Sequence, residues 1–202
     1  MRFTRLLRKK ILIAAAILAV GGLGACQTPP PNAPEYPELT FTHLPPISLG
    51  VAGLEIVDNF TPPADATHIE NRMPVSLESA LRNWARDRLK FNGVSGVAKF
   101  IIENASVTET DLPRTKGLTG VFTTDQAQRY DAAVSVQVRL EGVPRVNEAF
   151  AQAAVSRYQT LPEDASINVR EDTWFNLTEQ VMKDFDPQMA ASIRQHLADF
   201  VR

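Results

Sequence analysis

The chain has 202 residues, 21 Lys+Arg against 23 Asp+Glu, and one cysteine. A single thiol excludes a disulfide framework, and a net charge of −2 lacks the basic excess of a nucleic-acid binder.

Residues 1–10, MRFTRLLRKK, carry Arg2, Arg5, Arg8, Lys9 and Lys10 and no acid, and residues 11–20, ILIAAAILAV, are wholly apolar. A basic stretch, a short apolar run and small residues before a cut are the parts of a secretory signal peptide. The run is well short of the ~20 residues that a membrane-spanning helix needs. Leu23-Gly24-Ala25-Cys26 resembles the lipobox of bacterial lipoproteins. That resemblance implies cleavage before Cys26, a diacylglycerol thioether on its sulfur and acylation of the new amino terminus. The alternative is an ordinary signal peptide followed by a free thiol. Lipidation accounts for the cysteine usage, because a spare thiol in an oxidising compartment pairs wrongly, and several acyl chains make a stable anchor where one does not. Gln27 follows where an aspartate would mark inner-membrane retention, which favours the outer membrane.

Removing the first 25 residues takes five cations with it and leaves 16 against 23 acids, a net charge of −7. Residues 26–46 hold seven prolines and read as a semi-rigid spacer carrying the lipidated cysteine. Residues 47–202 then read as one globular domain.

ISLGVAGLEIVD (47–58) is aliphatic and bounded by prolines, which predicts a first strand. In residues 76–91, Leu77, Leu81, Trp84, Ala85 and Leu89 fall on one stripe. Ser76 is the predicted N-cap and Asn92-Gly93 the predicted stop of an amphipathic helix, with Arg82, Arg86, Asp87 and Lys90 on its wet side. Residues 97–109 have the β-branched content of a strand. Residues 130–140 alternate cleanly, with Tyr130, Ala132, Val134, Val136, Val138 and Leu140 on one face.

The alanine-rich residues 147–160 suit either a helix or a strand with Ala149, Ala151, Ala153 and Val155 inward. The need for a hairpin partner to residues 130–140 selects the strand. Asn168 and Glu171 fit a cap-like pair for a C-terminal helix whose stripe is Trp174, Leu177, Val181 and Phe185. Asp186-Pro187 reads as a new N-cap and first-turn proline, opening a second helix or a kinked continuation with Met189, Ile193, Leu197 and Phe200 inward.

The predicted class is therefore α+β in the order β-α-β-β-β-α, a small antiparallel sheet with helices on one face. With a lipidated amino terminus and a proline spacer, that order resembles two groups of envelope lipoproteins: the LPS-assembly lipoprotein that plugs an outer-membrane β-barrel, and the auxiliary lipoprotein of lipid-transport ABC systems. The resemblance covers residues 47–201 by element order alone and transfers no site residue. It implies a non-enzymatic, periplasm-facing protein that binds an envelope partner or a lipid and needs no cofactor.

The chemistry in the chain points the same way. His43, His68 and His196 form no metal-ligand spacing, GVSG at 93–96 is too short for a nucleophile elbow, and Gly117-Leu118-Thr119-Gly120 lacks the ending of a phosphate loop. Three functions follow: an accessory of envelope assembly or lipid transport, a carrier or sensor of an anionic amphiphile, or an unrecognised hydrolase. Residues 110–130 join two predicted strands with more chain than a hairpin needs. There the cations Arg114, Lys116 and Arg129 stand beside Leu118 and Phe122, a combination suited to an anionic amphiphile or an acidic partner rim. The alternative is that Leu118 and Phe122 fold back onto the core.

Replacing Cys26 with Ala should abolish labelling by radioactive palmitate and leave an uncleaved precursor. Equal labelling of mutant and wild type would remove the lipid anchor.

Overall fold

The structure, a computed structural model, describes residues 35–113, 125–144 and 149–202. Within these, the order is β1 (Ile47–Leu49), β2 (Gly53–Asp58), α1 (Leu77–Arg88), β3 (Leu89–Phe91), β4 (Val97–Asp111), β5 (Gln126–Glu141), β6 (Ala149–Pro162) and α2 (Ile167–His196). Short 3-10 turns lie at Glu70–Arg72 and Ala198–Phe200.

The main sheet has the order β2-β4-β5-β6. Its three long strands are antiparallel neighbours, with Ala132 opposite Val107 on β4 and Arg157 on β6. The alternation expected for β5 is present: Tyr130, Ala132, Val134, Val136, Val138 and Leu140 are all buried. Ala151, Ala153 and Val155 of β6 are buried on the same face, so the alanine-rich segment is a strand. Both helices cover that face. Trp84 of α1 packs on Phe100 of β4 and edge-on to Phe185 of α2, and Trp174 of α2 meets Tyr130 edge-on. The fold is thus the expected α+β layer.

Several details differ from the sequence-based expectation. The first strand is two strands. Residues 47–49 pair with β3, and residues 53–58 join the main sheet beside β4. Both pairings are parallel, because the connections run through α1 and cross over rather than turn back as a hairpin. The main sheet is therefore antiparallel except at its β2 edge. Helix α1 stops at Arg88, before Asn92-Gly93. Leu89, at φ −89° and ψ 127°, turns the chain into β3, where strand pairing with β1 overrides the helical stripe. Gly93 donates to the Val51 carbonyl at 3.0 Å, and a Cβ there would lie 2.3 Å from the Gly50 oxygen, so only glycine lets these segments approach.

At the C-terminal helix, Ser166 rather than Asn168 is the N-cap, its hydroxyl accepting from the Val169 amide. Asp186 does not start a new helix. Its carboxylate is held by α1, and α2 runs through Pro187 without interruption. Residues 198–202 then complete the small sheet, with Arg202 donating to the Ser48 carbonyl at 2.9 Å and Gly50 to the Phe200 carbonyl at 2.7 Å.

The sequence predicts a semi-rigid spacer over residues 26–46, yet its described part, residues 35–46, lies on the domain. Phe41 is buried in the core, and its amide donates to Asp87 at 2.7 Å. Asn83 donates to the Leu39 carbonyl, and the Tyr36 hydroxyl donates to Asp172 on α2 at 2.8 Å. Partial burial, then that bond to Asp172, raises the Tyr36 pKa to about 12. The apolar residues Leu39, Phe41 and Leu44 explain the docking, since prolines stiffen a segment without preventing its other side chains from being buried.

Phe41→Ala should lower stability by about 3 kcal/mol, the size of a large-to-small core change. A chain beginning at Pro46 should melt lower than one beginning at Glu35. Equal denaturant midpoints would show that the strap adds nothing to the fold.

Candidate functional site

Helix α1 places Trp84 and Arg88 one turn apart on its buried face. Both reach Asp186 of α2: Trp84 Nε1 donates to its Oδ1 at 2.8 Å, and Arg88 Nε donates to the same oxygen at 2.6 Å. The Arg88 side chain is only 4% exposed. A guanidinium that deep is tolerated because a carboxylate meets it; either group alone would be a buried charge without compensation. Arg88 Nη1 still has no partner among the described residues.

Asp186 also belongs to an open cleft of about 280 Å³ between residues 39–44 and α2. Phe41 and Met182 are buried in its lining, Leu39 and Leu44 are half-buried, and His43, Glu179 and Lys183 stand exposed around them. Apolar surface bordered by both signs of charge fits the apolar part of a small amphiphile better than a free anion. Sequence reasoning missed this cleft. Its signal was Leu39, Phe41 and Leu44 spaced among the prolines, and residue Arg88 exactly one turn beyond Trp84.

Of the candidate lipidation and binding residues, Arg129 alone lies within the described residues; Cys26, Arg114, Lys116, Leu118 and Phe122 lie outside them. Arg129 grips Asp131, with Nε at 3.0 and 2.9 Å from the two carboxylate oxygens and Nη2 at 2.6 Å from Oδ1. The hydrogen bond to Asp131, more than the opposing desolvation, raises its pKa. Its guanidinium also lies 4.0 Å over the Tyr158 ring. Its charge is thus already matched locally. The strands extend further into residues 110–130 than expected, with Leu112 donating to the Ala127 carbonyl and Glu163 to that of Asp125. At the start of α2, near those strand ends, Ile167 is 74% exposed and Val169 45%.

The histidines are dispersed. His43 lines the cleft, His196 is exposed at the end of α2, and His68 Nδ1 meets Glu70 at 2.8 Å. Glu70 is buried and also accepts from the Val107 amide at 2.8 Å, which fixes the 59–73 segment to β4. Among the described residues no group of three or more His, Cys, Asp or Glu is placed to hold a metal ion.

No family model matches the chain, and no curated protein matches it in sequence. Among solved structures, the chain is similar to the rare lipoprotein B from Shewanella oneidensis, at 10% identity and a TM-score of 0.34, over 69% of this chain and 92% of that one. A TM-score of that size is too low to show a shared fold. No helix of the described residues is long and apolar enough to cross a membrane.

Asp186→Ala should cost about 3–5 kcal/mol by stranding the Arg88 charge. Replacing both partners, Arg88→Met with Asp186→Leu, should recover most of that loss in urea unfolding. A double mutant no more stable than Asp186→Ala would show that the pair matters for more than mutual neutralisation.

Proposed function

We propose that this protein is a lipid-anchored, periplasm-facing accessory or binding component of cell-envelope assembly or lipid transport, with no enzymatic activity of its own. The observation that carries the proposal is the amino-terminal sequence: a basic stretch, a short apolar run, and Leu-Gly-Ala-Cys ending at the only cysteine. Anchoring on Cys26 would hold the domain at a membrane surface, the outer membrane in preference to the inner. The end of the domain that presents Ile167 and Val169, next to the ends of β4 and β5, is the surface offered to an envelope partner. Arg114, Lys116, Leu118 and Phe122, which fall between β4 and β5 in the sequence, would supply cations and apolar groups for binding the same partner.

A second function, carriage of an amphiphile, is favoured by the cleft under residues 39–44. Its volume of about 280 Å³ is at the lower limit for a small-molecule site, so it would hold one acyl chain rather than a whole multi-chain lipid.

The two are separated by purifying the full-length lipoprotein in mild detergent at native expression. Co-purification of a defined envelope protein, lost on replacing Ile167 and Val169 with Ser while the melting temperature holds, is the outcome expected for an accessory protein. A stoichiometric lipid found by extraction and mass spectrometry, with no protein partner, would overturn that assignment in favour of a carrier.

A further inference from the structure

Strand β6 is a long edge strand, and its outward side is set by one hydrogen bond. The Gln152 amide donates to Ser192 Oγ of α2 at 3.0 Å, so Gln152 points its main chain away from β5. Alternation then points Ala154, Ser156 and Tyr158 outward too, while the odd-numbered residues serve the ladder to β5. The Glu163 amide, which donates to the Asp125 carbonyl, agrees with that parity.

The opposite long edge is treated differently. Beyond the end of β2, β4 is covered by the 59–73 segment: Asn59 donates to the Ile102 carbonyl, Ile69 to that of Val107, and Glu109 to that of Thr67. The Val107 amide is met by the buried Glu70. On β6, the outward amides of Ala154, Ser156 and Tyr158 meet no acceptor among the described residues. Nor does residues 150–160 contain a proline or a lysine, the usual guards of an edge, and its one cation, Arg157, is neutralised by Asp184.

Beside this edge lies a groove of about 530 Å³ between β6 and the second half of α2. Its lining includes Gln152, Ala154, Gln188, Ala191, Ser192 and Gln195, all small or uncharged. A groove between an edge strand and a helix is the geometry in which peptides bind as an added strand, with main-chain bonds giving affinity and the groove selecting side chains.

We propose that the free edge of β6 accepts an extended segment of a partner protein, bound antiparallel along Ala154–Tyr158 as a fifth strand of the main sheet with one end in this groove. The lining selects a segment with small or uncharged polar side chains. Residues 27–34 of the chain itself are a poor occupant, because Pro29, Pro30, Pro31 and Pro34 cannot donate to a ladder. The proposal rests on the main chain of β6 and does not depend on how the protein is anchored.

The probe is a synthetic peptide of alternating Thr and Ala, which combines strand propensity with the small side chains the lining selects, offered to the full-length protein in detergent. Ser156→Pro removes one outward N–H and no ladder bond, so it should fold, as a melting curve checks; Ala154→Gln, which fills the groove, is the second variant. Expected are saturable binding by fluorescence anisotropy, at least tenfold weaker to both variants and to a peptide N-methylated at alternate residues, and at least tenfold slower exchange of the Ala154, Ser156 and Tyr158 amides on binding. No binding to millimolar peptide, binding indifferent to either variant or to N-methylation, or protection of those amides by self-association that Ser156→Pro abolishes, would each overturn it.

Discussion

Strand β5 carries Ala132, Val134, Val136, Val138 and Leu140 on one face, and water has to be kept from all of them along the whole strand. β4 and β6 flank it and extend the same apolar surface sideways, but a flank cannot cover a face. That work falls to the helices. Helix α2 lies along β6 and β5 for most of its length, and α1 fills the remaining area over β4. The aromatic contacts of Trp84, Phe100, Phe185, Tyr130 and Trp174 occur where these layers meet. At roughly 25 cal/mol per Å² of apolar surface removed from water, this one face supplies most of the drive to fold.

Covering the face leaves a seam between the two helices, and the seam holds charge. Arg88 and Asp186 could be replaced by apolar residues of similar volume with little loss, as buried pairs often can. Their presence ties a particular turn of α1 to a particular turn of α2, since a shift along the helix axis would separate the two charges. The strap formed by residues 36–44 closes over the same region and uses Asp87, the neighbour of Arg88 on α1, for its amide. Helix packing, ion pair and strap therefore meet in one place, and the cleft is what remains open among them.

Periodicity made the sheet and the helical stripes legible in the sequence. Every inward residue read from 130–140 is buried, and so are Trp174, Leu177, Val181 and Phe185. Where two structures share one composition, the pattern could not choose. ISLGVAGLEIVD is aliphatic throughout, and only the position of β3 decides that its two halves enter different sheets. Leu89 continues the stripe of α1, yet it serves a strand. The cleft was less legible still, because Phe41 sits among prolines and Arg88 among exposed cations, and burial of each depends on partners 46 and 98 positions away. Arg129 was visible as a cation; its engagement by Asp131 and Tyr158 depends on strand pairing.

Helix α2 is 30 residues long, about 45 Å, and Pro187 stands two-thirds of the way along it. A proline has no N–H to offer the Lys183 carbonyl four residues back, so the ladder of the helix lacks a rung there. A rod missing one rung bends most easily at that point. The first part, through Phe185, is clamped by Trp84 and Arg88, whereas the part beyond Pro187 borders β6 through Gln188, Ala191 and Ser192. Pro187 thus joins two parts that are each fastened, the first to α1 and the second to β6 through Ser192, and a bend at that rung would change the width beside the free strand edge.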